Sequence, residues 1–125
     1  MASRKVLLNA LFDQFTGFIR ELQKMYPEDP DFPAYQSTLA LLRGTNPLLV
    51  AKYVKEHVTD RHGDKIAARD ESFFLNHSYE DVAEDVSLDV VEKLKGYVSQ
   101  MDQKTKDVVW QYVEILSKLA VKCLE

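Results

Sequence analysis

Apolar residues along this chain recur at helical spacing, and nowhere do they alternate as a strand requires. Leu8, Leu11, Phe12, Phe15, Phe18, Ile19 and Leu22 follow the i, i+3, i+4, i+7 pattern of a helix with one buried face. Ser3 is placed to cap its start. Gly17 falls inside this pattern at a cost of about 1 kcal/mol relative to Ala. Its presence predicts close approach of another helix on the Phe15/Phe18 side. The pattern stops at Tyr26-Pro27, and three prolines within seven residues make 27–32 a tight connector.

The same reading continues down the chain. Asp31 is expected to cap a second helix, with Pro33 in its first turn and Tyr35, Leu39 and Leu42 as its stripe. Gly44 is expected to close it. Asn46-Pro47 is a strong start signal for a third helix. Leu49, Tyr53, Val54 and Val58 face inward there, and the end is expected near His62-Gly63. A short helix is expected over about 65–72. Ser78-Tyr79-Glu80-Asp81 has the form of a capping box and predicts a further short helix reaching Asp85. Ser87 is the next N-cap, opening a helix with Val90, Val91, Leu94, Val98 and Met101 inside. Asp102 caps a last helix, whose apolar residues are Val108, Trp110, Tyr112, Ile115, Leu116, Leu119 and Cys123. Short connectors between such stripes favour antiparallel neighbours. The expected architecture is therefore all-α: one domain over residues 1–125, an antiparallel bundle of about five main helices plus one or two short ones.

A chain of 125 residues can bury one core without disulfides or metals. Its single cysteine, Cys123, excludes an internal disulfide. Apolar runs are far shorter than the twenty or so residues of a membrane span. The N-terminus has no continuous apolar core of a signal peptide. These features predict a soluble, intracellular protein without a membrane partner. Charge is balanced up to residue 72, with ten basic and ten acidic side chains, whereas residues 73–125 carry six and ten. No sustained basic cluster exists, which makes nucleic acid an unfavourable partner.

Sequence chemistry points away from catalysis. The four glycines, at 17, 44, 63 and 96, support no phosphate loop, dinucleotide fingerprint or nucleophile elbow. His57 and His62 are five apart rather than four, so they do not share a helix face as paired zinc ligands would. The window Asp60–Glu71 begins and ends like a calcium loop, but Lys65 stands where glycine is needed. Cys123 reads as a small core hydrophobe. No catalytic residue, cofactor or metal site is expected.

Two features read as an interaction surface. Phe73 and Phe74 are adjacent, and neighbouring helical side chains diverge by about 100°. Either the segment is sandwiched between two layers or one ring marks a contact surface. Nearby, Glu80, Asp81, Glu84, Asp85, Asp89 and Glu92 precede any lysine or arginine. Half of these acids are explained by helix N-termini; together they also form a face suited to a basic protein surface.

Several segments resemble small helical proteins encoded by large DNA viruses of algae and amoebae. They are Leu11-Phe12-x-x-Phe15 leading to Glu21-Leu22, Tyr26-Pro27-x-Asp29, Asn46-Pro47, Arg69-Asp70-Glu71-x-Phe73-Phe74-Leu75, and Trp110-x-Tyr112. The resemblance spans most of the chain. It implies a virus-encoded intracellular or virion-associated protein, directs attention to Arg69–Leu75, and brings no catalytic residue with it. The expected function is non-enzymatic: binding to a protein partner or to itself. The alternatives are a small enzyme or ligand-binding protein with a pocket between helices, and a nucleic-acid accessory protein using Lys52, Lys55, Arg61, Lys65 and Arg69.

Overall fold

Ser3 opens the fold as the sequence predicts. Its hydroxyl accepts the Val6 N–H at 3.2 Å and so satisfies one of the unpaired donors of a helix start. The structure, a computed structural model, describes residues 3–70 and 90–125. Helix α1 spans Arg4–Met25 and buries Leu11, Phe12, Phe15, Phe18, Ile19 and Leu22. Helix α2 spans Asp31–Thr45, α3 Pro47–Val54, α4 Asp60–Ala68, α5 Val90–Tyr97 and α6 Gln103–Cys123. Lys55–Thr59 form a π turn between α3 and α4, and Val98–Gln100 form a 3₁₀ turn after α5. Among the described residues there is no strand, and the chain is all-α.

The core draws on every described helix. Leu11, Phe12 and Ile19 of α1, Phe32 and Leu39 of α2, Val50 of α3, Ile66 of α4, Leu94 of α5 and Val109 and Ala120 of α6 belong to one buried cluster. Phe12 and Asp13 meet Arg43 while Gln23 meets Gln36, so α1 and α2 run in opposite directions. Phe18 stacks on Tyr112 with centroids 5.0 Å apart, and Arg4 donates to the Glu125 carbonyl. Those contacts set α6 antiparallel to α1.

Several boundaries differ from expectation. Asp31 is the first residue of α2 rather than its cap. Its N–H is accepted by Asp29 Oδ1 at 3.0 Å, across Pro30, which has no N–H of its own to satisfy. Gly44 does not close α2, which continues through Thr45, and no glycine among the described residues has positive φ. Asn46 sits between α2 and α3 with Pro47 at the first helical position, but its side chain makes no capping bond.

The third helix does not end at His62-Gly63. Helical structure runs from Pro47 to Ala68, with the π turn inside it. Burial of Ile66 outweighs the cost of a glycine in mid-helix. No separate helix begins at residue 65. The run ends in a Schellman arrangement. Arg69 adopts left-handed φ 52°, its N–H reaches the Ile66 carbonyl, and the Asp70 N–H reaches that of Lys65. The helix from Val90 ends at Tyr97, and the 3₁₀ turn carries the chain on to Met101. The Ser78 and Ser87 caps and the helix reaching Asp85 lie outside the described residues.

Asp102 caps α6 as expected, accepting the Thr105 N–H at 2.8 Å. The buried face of α6 is Val109, Trp110, Val113, Leu116, Ser117, Ala120 and Cys123. That face is rotated from the expected stripe and leaves Ile115 41 % exposed. Ala120 and Val113 complete the i, i+4, i+7 register that Ile115 interrupts.

Candidate functional site

Among the described residues, a polar cluster lies where the proline connector meets α5. Pro27 and Pro30 hold the chain in a tight bend, and this bend brings Asp29 and Asp31 beneath Lys93 and Tyr97. The Tyr97 hydroxyl donates to Asp29 Oδ2 at 2.5 Å. Lys93 Nζ lies 3.2 Å from the same oxygen and also pairs with Asp31 Oδ2. Asp29 Oδ1 accepts the Asp31 N–H. The Asp29 side chain is only 8 % exposed, yet both of its oxygens are satisfied.

Aromatic rings hold these groups in place. Tyr97 stacks on Tyr26 with centroids 3.8 Å apart and planes 13° from parallel, and Phe32 packs against both. A hollow of about 640 Å³ adjoins the cluster, lined by Tyr26, Pro27, Glu28, Asp29, Asp31 and Lys93 among others.

The electrostatics follow from this geometry. Burial pushes the Asp29 carboxyl up, but hydrogen bonds from Tyr97, the Asp31 N–H and Lys93 outweigh it and hold the group below its usual range. Lys93 is raised, chiefly by its bond to Asp31 and against the opposing effect of burial. Tyr97 is raised because its proton is held by Asp29 and because it is buried. Each charged partner thus stabilises the other's ionised state. The result is a clasp between the connector and α5.

A second fastening lies at the end of α4. Arg69 Nε donates to Glu114 Oε1 at 3.1 Å, and its guanidinium lies 3.6 Å from Asp107, two turns nearer the start of α6 on the same face. A third polar contact joins the π turn to α6, where the Thr59 and buried Ser117 hydroxyls lie 2.6 Å apart. Beside it Lys55 pairs with Asp60 at 2.9 Å. That five-residue spacing matches the i→i+5 geometry of a π turn.

Of the residues singled out from sequence, Phe73, Phe74, Glu80, Asp81, Glu84, Asp85 and Asp89 lie outside the described residues. Glu92 belongs to α5, and its side chain lies outside them too. The same holds for His77 and for the side chains of His57, Arg61 and His62. No group of three metal-ligating side chains occurs among the described residues. Cys123 is fully buried, and burial pushes its thiol up, away from the reactive thiolate. Of the five cations considered for nucleic acid, Lys55 and Arg69 are engaged in ion pairs. No helix among the described residues is long and apolar enough to cross a membrane.

Sequence reasoning missed the clasp. Its local sign was the i, i+4 pair Lys93/Tyr97 beside the apolar stripe of α5, but its partner Asp29 is 68 positions from Tyr97. No protein-family model, curated protein or solved structure matches the chain.

Proposed function

We propose that this chain is a non-enzymatic helical protein that acts by binding other proteins, and that residues 70–92 carry the contact. The observation that supports the reading is a pair of fastenings on either side of that stretch. Arg69 is tied to Glu114 and Asp107 of α6, and Lys93 and Tyr97 are tied to Asp29 and Asp31 of the connector. Binding residues function best when their supports are rigid. Phe73, Phe74 and the acids from Glu80 to Glu92 fall between these supports in sequence.

The clasp also bears on charge. Lys93 is the first cation after the acidic run, and it is committed to Asp29 and Asp31. Glu80, Asp81, Glu84 and Asp85 precede it in the sequence with no lysine or arginine among them. An acidic face of that kind steers a basic partner and sets its register. The resemblance to viral helical proteins agrees with a virus-encoded interaction protein.

The test is capture by the tagged protein under light crosslinking, wild type against Glu84→Lys/Asp85→Lys. A stoichiometric partner lost in the variant supports the reading. Recovery of the bait alone in both cases contradicts it. A second reading, a small-ligand protein, draws on the hollow beside Lys93. It requires a ligand that displaces Lys93 from Asp31, which Tyr26 or Tyr97 fluorescence would report.

A further inference from the structure

A second hollow, of about 390 Å³, runs between α1 and α2 and is lined by none of the clasp residues. Phe12, Thr16 and Arg20 line it from α1 at four-residue intervals, hence from one face of that helix. Gln36, Ser37, Leu39, Ala40 and Arg43 line it from α2. Phe12 and Leu39 are buried and make an apolar floor, and Thr16, Ser37 and Ala40 are small enough to leave the space open.

The two arginines stand at opposite ends. Arg43 lies over the Phe12 ring, 5.7 Å from its centroid, while Arg20 is eight residues further along α1. At 1.5 Å per residue the two ends are about 12 Å apart. No lining residue is acidic.

Arg43 is already oriented. Besides Phe12 it contacts Asp13 at 2.9 Å and Asn9 at 3.3 Å, so little side-chain freedom remains to be lost on binding. Asp13 offsets part of its charge from outside the groove. Arg20 is exposed and has no ion pair among the described residues. Gln36 is held by its bond to Gln23.

We infer that this groove is a docking site for an acidic amphipathic helix of a partner protein. Two carboxylates, about two turns apart, meet Arg20 and Arg43, and apolar side chains between them lie over Thr16, Ser37 and Ala40, above the buried Phe12 and Leu39. Charge complementarity selects the occupant, because Arg20 at one end has no ion pair among the described residues, Arg43 at the other is only partly offset by Asp13, and no acid lines the groove between them. The occupant's spacing follows from the span: glutamates at i and i+7 on a helix are separated by about 10.5 Å along its axis. This site goes beyond the acidic, Phe-bearing stretch proposed above and carries the opposite charge.

The probe is a fluorescein-labelled, alanine-based helical peptide of about 16 residues. It carries glutamates at i and i+7 with leucines at i+3 and i+4. Fluorescence anisotropy with the full chain is expected to show saturable binding that weakens as salt rises. Arg20→Glu should weaken it about tenfold, and a peptide with lysine in place of the matching glutamate should regain the loss. Ala40→Glu, at an exposed helical position on the groove's edge, should weaken it as well without altering the melting temperature.

Absence of binding at about 1 mM peptide overturns the inference. So does equal binding by wild type and Arg20→Glu. Preferential, Arg20-dependent binding of a single-stranded oligonucleotide of matched charge would overturn it in favour of nucleic acid. None of these outcomes depends on Phe73, Phe74 or the acidic run, so the proposed function and this inference stand or fall separately.

Discussion

The Tyr97 hydroxyl donates to Asp29 Oδ2 at 2.5 Å while its ring lies flat against Tyr26. One side chain thus joins α5 to the connector twice, by a charge-assisted hydrogen bond and by aromatic packing. Tyr97→Phe separates the two. The ring remains and the donor is lost. A hydrogen bond to a charged group contributes about 1.5–3 kcal/mol, and the variant should lose that much in urea unfolding at pH 7.

The acid dependence of the same variant is a second prediction. Asp29 is held below its usual value, so its contribution is present above the unfolded pKa of about 3.9 and is lost as pH falls through the lower folded value. In Tyr97→Phe, burial acts on Asp29 with one fewer opposing donor, which raises the folded pKa. Acid unfolding followed by circular dichroism should begin at higher pH in the variant than in wild type. Coincident acid transitions would show that Tyr97 does not govern Asp29.

At alkaline pH the sign reverses. Tyr97 is raised, so its contribution is complete below about pH 10 and is lost as pH rises through the folded value. Tyrosinate absorbance should therefore show Tyr97, together with Tyr26 whose phenol burial also pushes up, titrating above the ordinary tyrosine range, and Asp29→Asn should bring Tyr97 earlier.

Gly17 offers a stabilising substitution. A methyl there would meet the Tyr112 hydroxyl at 3.6 Å, an ordinary van der Waals contact. Gly17→Ala should thus gain roughly 0.5–1 kcal/mol from helix propensity. Gly17→Leu should lose stability by pushing Tyr112 off Phe18. Thermal melting checks both.

Arg69 carries two opposed effects. Left-handed backbone costs a non-glycine residue about 1–2 kcal/mol, whereas exposed ion pairs contribute about 0–1 kcal/mol each. Arg69→Ala keeps the backbone cost and loses the pairs, and it should be less stable than wild type. Arg69→Gly relieves the backbone and should be more stable than Arg69→Ala by about 1 kcal/mol. Paired denaturation curves give the difference directly.

How much was legible in sequence depended on how local the cause was. The Ser3 and Asp102 caps were readable because each bonds an N–H three residues away. The α1 stripe was readable because seven apolar residues keep one register. The α6 stripe was misassigned by about one position, because Val108, Val109 and Trp110 are consecutive and periodicity alone cannot say which of them faces in. Gly63 reads as a stop because glycine commonly ends helices, whereas the stop is Arg69, a residue whose type gives no such signal. The clasp was illegible. Asp29, Asp31, Lys93 and Tyr97 are ordinary surface residue types, and only the proline bend and the packing of α5 bring them together.

The most direct measurement is paired melting and partner binding of the Phe73→Ala/Phe74→Ala variant. An unchanged melting temperature with loss of the crosslinked partner is the expected result. A fall in stability of about 3–5 kcal/mol per ring, the usual cost of truncating a core aromatic, would contradict it and place both rings in the core.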